Sequence, residues 1–238
     1  FNAYHWPDPD SFDYSRLDKA GELLPEGMKL IVFGPGGVLE NVIGIVGYDT
    51  LCYLSVDDPK LVKTIFDEVG SRLARYYEIC APYDAVGALI SNDDWGFFSQ
   101  TMLPPHQMRE LVFPWHKKFV EIIHAAGKPA ILHSCGNLDL VFDDIIDVMK
   151  FDGKHSYEDK ILPVEEAYDR YAGRIAILGG IDVDFVIRSE PADVTRRSRA
   201  MLERSEARGS YALGTGNSVP EYVPDDHYFA MTEAALEE

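Results

Sequence analysis

The sequence predicts an α/β protein of the (β/α)8, or TIM, barrel class, with one or two strands of the N-terminal side not represented. Three observations carry this expectation. Short apolar runs alternate six times with amphipathic stretches of helical period, which calls for a parallel sheet. Polar residues gather at the C-terminal ends of the strand candidates: Asp93, His133, Glu158, Asp182, Thr215 and Asn217. A barrel brings such ends to one mouth, whereas an open doubly wound sheet spreads them along an edge. Finally, no Pro/Gly/Ser linker, charge shift or low-complexity tract divides the chain, so residues 1–238 read as a single domain.

Residues 1–13 (FNAYHWPDPDSFD) are aromatic and proline-rich and lead into a helix over 14–24. A strand over 28–33 closes on Gly34-Pro35-Gly36-Gly37. That cluster lacks the lysine and hydroxyl of a P-loop and the spacing of a dinucleotide fingerprint, so it reads as a turn. Residues 38–47 look helical. Asp57-Asp58-Pro59 then opens a long amphipathic helix to about residue 81, with an acidic N-cap and proline in the first turn. A strand over 84–91 ends in Asn92-Asp93-Asp94-Trp95-Gly96. Two carboxylates at a strand end suit acid–base work or substrate positioning; the structural alternative is that either caps a turn. The helix over 105–127 carries His116 and His124, which fit ordinary packed or exposed helix positions.

The apolar run 129–132 has the character of a buried strand and ends in His133-Ser134-Cys135-Gly136-Asn137. Residues two apart in an extended chain point to the same side, so the His133 imidazole and the Cys135 thiol project together. Apolar residues at 138, 141, 142, 145, 146 and 149 then follow a helical spacing over 138–150. A strand over 151–156 delivers Glu158. A nitrogen, a sulfur and an oxygen donor at the ends of adjacent strands suit a zinc ion with an open position. The plainer reading is a core histidine beside a small buried cysteine. A helix over 163–171, a strand over 174–179 ending at Asp182, and a helix over 192–208 come next. The last strand, 210–213, ends in Gly214-Thr215-Gly216-Asn217-Ser218, and a helix over 224–236, capped by Asp225 or Asp226, closes the chain.

Composition narrows the function classes. At 46% apolar and 26% charged residues the chain has an ordinary globular balance. Its formal charge of -18 argues against nucleic acid or an anionic membrane as partner, since both need a concentrated basic surface. No apolar run is long enough for a spanning helix. Three cysteines at irregular spacing do not resemble a disulfide framework, so a reducing cytoplasmic setting is expected. The chain starts at Phe1, with no initiator methionine and no signal-peptide pattern, and the expectation is that its N-terminus is missing or cleaved.

The segments ISNDDWG, FPWHKKFVEIIHAAGKPAILHSCGN, GKHSYE, LGGIDVD and LGTGNSVPEYVP resemble the uroporphyrinogen decarboxylase superfamily, which includes corrinoid- and zinc-dependent methyltransferases. The likeness runs from Met28 onward and is closer to the methyltransferase branch, whose His-x-Cys pair is matched residue by residue at His133 and Cys135; the N-terminal arginine-rich segment of the true decarboxylases is not found within residues 1–238. The resemblance implies a zinc site at His133 and Cys135. It also implies a glutamate ligand at Glu158, which stands at the spacing a more distant relative, cobalamin-independent methionine synthase, uses. The last-strand position that carries a further cysteine ligand in the methyltransferases holds Thr215. On this reading a methyl group moves between a methylated corrinoid, on a partner protein or as co-substrate, and a thiol or similar small-molecule acceptor. Asp93, Asp94 and Asn217 would orient substrate or support the ligands, and the resemblance is compatible with a homodimer. Two alternatives stand beside it. One is a metal-free decarboxylase of a tetrapyrrole-type substrate, with Asp94 stabilising a protonated pyrrole-like intermediate; the other is a non-catalytic barrel.

Overall fold

The computed structural model describes residues 1 and 3–236. A 3-10 turn, Pro9–Ser11, leads to α1 (Ser15–Leu23) and β1 (Leu30–Phe33). Three helices follow, α2 (Val38–Val46), α3 (Tyr48–Asp57) and α4 (Pro59–Cys80), before β2 (Val86–Asn92). The start of α4 is the one the sequence predicts: Asp58 Oδ1 accepts from the Leu61 N–H at 3.0 Å and Pro59 fills the first turn. α3 has no counterpart among the expected elements.

The helix expected over 105–127 begins as α5 (Pro105–Gln107), widens to a π-helical stretch at Met108–Val112, and continues as α6 (Phe113–Ala125). Pro114 has no N–H and its ring crowds the carbonyl one turn back, and the widened turn lies immediately before it. β3 (Ala130–His133) comes next. The helix expected over 138–150 is wound instead as a 3-10 turn at Asp139–Val141 and a π-helical stretch at Asp144–Met149. Leu138, Val141, Phe142, Ile145, Ile146 and Met149 are nonetheless all buried. The periodicity identifies the side chains that go inward, although the turns that carry them close differently from an α-helix. β4 (Gly153–His155), α7 (Val164–Tyr171), β5 (Ala176–Leu178), α8 (Val183–Arg188), α9 (Pro191–Glu206), β6 (Tyr211–Ala212) and α10 (Asp225–Glu233) complete the chain.

The six strands form one sheet in the order β1-β2-β3-β4-β5-β6, and the ladders β1–β2, β2–β3, β4–β5 and β5–β6 are parallel. A doubly wound sheet reverses its order at a switch point. This one does not, which is the winding of a (β/α) barrel, here with six strands and no reversal among the described residues.

Two compact units divide the chain. The first holds Phe1–Trp95, Met102–His133 and Leu140–Phe151. Its core packs Phe66 and Tyr77 of α4 with Phe119 of α6 and Leu89 of β2, all essentially inaccessible. The Tyr77 and Phe119 rings are 4.9 Å apart. The second unit holds Gly96–Thr101, Ser134–Asp139 and Asp152–Glu238. There Tyr168, Ile177, Val186, Met201 and Met231 are buried, and Arg197 of α9 forks onto Asp159 at 2.6 and 2.7 Å and onto Glu165 of α7 at 2.7 and 2.9 Å. Burial is the largest single influence on the Glu165 carboxyl and would raise it, but the hydrogen bonds from Arg197, a backbone hydrogen bond and the charges of Arg197 and Arg204 together hold the group below its ordinary value.

Candidate functional site

Strand register sorts the polar residues into two faces. Asn92 of β2 is paired with His133 of β3, and the ladder runs on past both strands through Asp93 N–H to His133 C=O at 2.9 Å. With a period of two, Ser91 and Asp93 point to one face and Asn92 and Asp94 to the other. The accessibilities agree. Ser91, Asp93, Leu132 and Ser134 are buried, whereas Asn92, Asp94, His133 and Cys135 are half-buried.

Asp93 is consequently a buried carboxylate, wholly engaged by the protein. Its Oδ2 accepts from the Leu39 N–H at 3.0 Å and its Oδ1 from the Glu40 N–H at 2.9 Å, so it caps the first turn of α2. His116 of α6, also buried, donates from Nε2 to Asp93 Oδ2 at 2.9 Å, and with that tautomer its Nδ1 accepts from the Ser91 hydroxyl at 2.9 Å. Gly37 precedes α2, and a Cβ there would lie 2.0 Å from Asp93 Cγ, so the absence of a side chain is what admits the carboxylate. Glu40 Oε2 accepts from the Gly37 N–H at 2.9 Å, and burial, helped by the Asp93 charge, raises its carboxyl above the ordinary value. Sequence reasoning passed over Glu40, although the Gly-x-x-Glu spacing at the start of a helix is that of a capping box.

Asp94 faces the other way. Its Oδ1 stands 3.9 Å from His133 Nε2. Asp94, His133 and Cys135 each offer a ligand atom, and these three atoms lie within 4.8 Å of one another. Two of the three residues are the expected pair, and the third, which brings a carboxylate oxygen to the group, is Asp94. Glu158 does not belong to this group. It follows the buried Tyr157, whose N–H donates to Gly216 C=O at 3.1 Å, and its own carbonyl starts a turn by accepting from the Ile161 and Leu162 N–H groups.

The segment after His133 is pinned in place. The Gly96 N–H donates to Cys135 C=O at 3.2 Å and the Asn137 N–H to Phe97 C=O at 2.8 Å. Gly136, at φ +84°, sits where a Cβ would lie 2.1 Å from the Gly96 carbonyl oxygen, so only glycine fits both the conformation and the approach. The Cys135 sulfur accepts from Asn217 Nδ2 at 3.3 Å and from Ser156 Oγ at 3.4 Å. Asn217 thus reaches the sulfur, as does Ser156, which lies in the GKHSYE segment but drew no attention beside Glu158. Thr215 donates its hydroxyl to Asn217 C=O at 2.7 Å and serves the loop's own backbone. Asp182 caps α8 through the Phe185 N–H at 3.1 Å and accepts from the Asp159 N–H at 2.8 Å.

The donor set fits a zinc ion. Imidazole nitrogen, thiolate and carboxylate are the ligand types zinc takes in catalytic sites, and bonds of about 2.0–2.3 Å put tetrahedral ligand atoms roughly 3.3–3.8 Å apart. The Asp94–His133 separation of 3.9 Å is close to that range.

Fold and site together define a barrel-type α/β protein whose strand ends carry a metal-capable N, S, O donor set. Residues 20–237 match the family model described as uroporphyrinogen decarboxylase (URO-D), and the chain belongs to that family. A methyltransferase from Methanosarcina mazei superposes with a TM-score of 0.72 at 16% sequence identity, covering 92% of this chain and 61% of its own. The likeness establishes the shared fold, and the chain spans 61% of that protein's length. An endo-1,4-beta-xylanase from Caldicellulosiruptor owensensis gives a TM-score of 0.43 at 15% identity over 63% of this chain and 56% of its own, too weak to carry an argument. No curated protein matches the chain in sequence. No helix among the described residues is long and apolar enough to cross a membrane.

Proposed function

We propose that this protein is a zinc-dependent methyltransferase, moving a methyl group between a methylated corrinoid carried by a partner protein and a thiol or similar small acceptor. The observation that carries the reading is the Asp94, His133, Cys135 group at the C-terminal ends of β2 and β3. Membership of the family and the fold shared with a methyltransferase support it.

Asp94, His133 and Cys135 would hold the zinc, leaving a fourth position for the acceptor. Bound there, zinc would supply a Lewis acid that keeps a thiol acceptor as thiolate at neutral pH. The chain's own residues do the rest. Asp93, by anchoring the strand end to α2 and α6, fixes where the Asp94 carboxylate emerges. The hydrogen bonds of Gly96 and Asn137 fix the Cys135 backbone. Asn217 and Ser156 orient the Cys135 side chain.

Metal content by plasma mass spectrometry tests this. Purified protein should carry near-stoichiometric zinc, and His133→Ala, Cys135→Ser and Asp94→Ala should each lose most of it. Glu158→Ala should keep it. Wild-type protein that takes up no metal even when zinc is supplied would overturn the reading and leave metal-free decarboxylation, which the family's description favours.

A further inference from the structure

The Cys135 sulfur receives two hydrogen bonds that a ligand role alone does not require. Their geometry is built in. Asn217 Oδ1 accepts from the Ser218 N–H at 2.8 Å, and this fixes the amide so that Nδ2, the donor, is the atom facing the sulfur at 3.3 Å. The loop carrying Asn217 is itself held from several sides. Thr215 closes it through its hydroxyl, Thr215 C=O accepts from His155 Nε2 at 3.0 Å, and the Gly216 N–H donates to Ile181 C=O at 2.7 Å. A Cβ at Gly216 would lie 2.1 Å from the Tyr157 carbonyl oxygen, so loop and strand end are in close contact. Ser156 is placed from the other direction, by the Ser134 N–H donating to His155 C=O at 2.8 Å and the Ser156 N–H to Ser134 C=O at 3.4 Å. Two donors, on segments that are also tied to each other at His155 and Tyr157, therefore converge on one sulfur atom.

We propose that Ser156 and Asn217 are positioning residues that hold Cys135 as a doubly hydrogen-bonded thiolate and so set the electron donation from sulfur to the metal. This rests on the zinc reading above. A thiolate that accepts hydrogen bonds shares its negative charge with the donors and gives less of it to the metal, which stays the stronger Lewis acid toward its remaining ligand. The last-strand loop thus acts on the metal through the sulfur, with Asn217 as its agent.

Cobalt(II) in place of zinc makes the effect visible, because a bound thiolate gives a sulfur-to-cobalt charge-transfer band. Wild-type protein loaded with cobalt should show the band and Cys135→Ser should lose it. In Ser156→Ala and Asn217→Ala the band should move to longer wavelength, since a sulfur without its donors gives up charge more readily, and cobalt affinity should fall on the order of tenfold. Ser156→Thr, which keeps the hydroxyl, should retain the wild-type band. Asn217→Asp, which keeps the size and the acceptor for Ser218 but loses the donor, should shift it at least as far as alanine. A wild-type band that stays unmoved in the alanine and aspartate variants overturns this inference and leaves the metal site standing. No band in wild-type protein overturns the metal site and this inference with it.

Discussion

Asp93 and Asp94 are adjacent carboxylates with opposite surroundings, and that contrast makes a sharp test at the scale of single residues. Asp93 is buried against two α2 N–H groups and the His116 imidazole. Removing it leaves those donors without an acceptor in an apolar setting, and breaking a buried hydrogen-bonded pair costs about 3–5 kcal/mol. Asp93→Ala should therefore lower unfolding stability in urea by about 3 kcal/mol. Asp94 has a side chain 42% accessible, and metal-free Asp94→Ala should stay within about 0.5 kcal/mol of metal-free wild type, while the variant no longer gains stability when zinc is added. An Asp93→Ala protein with the wild-type urea midpoint would show that the cap contributes nothing. At this scale the sequence made part of the site legible. His133 and Cys135 share a face because alternation in an extended chain is fixed by covalent geometry. Asp93 and Asp94 stood out as a pair, yet only the register against β3 and the approach of α2 separate their roles. Ser156 is not legible in the sequence, because what distinguishes it is a partner far along the chain, Cys135; Glu40 is legible as a capping-box residue, but the rise of its carboxyl depends on burial and on the distant Asp93 charge.

At the scale of elements, α2 is the piece that the site leans on, and its two glycines should respond in opposite directions. Gly37, before its first turn, faces Asp93 so closely that an added methyl would lie 2.0 Å from Asp93 Cγ and 2.1 Å from its Cβ. Gly37→Ala should destabilise by about 1–3 kcal/mol, the usual cost of overpacking, and should loosen the Asp93 cap. Gly44 lies inside the helix, and a methyl added there would meet nothing within 4 Å. Gly44→Ala should therefore stabilise by about 0.5–1 kcal/mol through reduced freedom of the unfolded chain. Thermal unfolding of both variants checks this, and equal shifts of the same sign would refute the assignment of Gly37 to close approach. The elements themselves were mostly legible. Helix α4 announced its cap with Asp58-Pro59, and β2, β3 and β4 end in the polar residues Asn92, His133 and His155. What the pattern missed was how turns close. Residues 138–149 bury the apolar side chains their spacing selects, but in 3-10 and π-helical turns, because hydrogen-bond register depends on neighbours that periodicity does not encode.

For the whole molecule, the excess of 40 acidic over 22 basic side chains sets a long-range repulsion that local pairs do not cancel. Many of the ion pairs are exposed contacts within one helix, such as Lys63–Asp67, Arg188–Asp184 and Arg196–Asp193. Pairs of this kind contribute only about 0.3–0.5 kcal/mol each. Salt weakens them, but it weakens the repulsion among the unmatched carboxylates as well, and the latter involves more charge acting over longer distances. The screening length falls from about 30 Å at 0.01 M to about 8 Å at 0.15 M ionic strength, which leaves close pairs partly intact and removes most of the repulsion between distant charges. Raising sodium chloride from 0.01 to 0.15 M at neutral pH should therefore raise the melting temperature, by about 2–4 °C for each kcal/mol gained in a chain of this size. Near pH 4.7, where the net charge vanishes, the same addition should change it little. A melting temperature that falls with salt at neutral pH would mean that the ion pairs, Arg197 with Asp159 and Glu165 foremost among them, outweigh the repulsion.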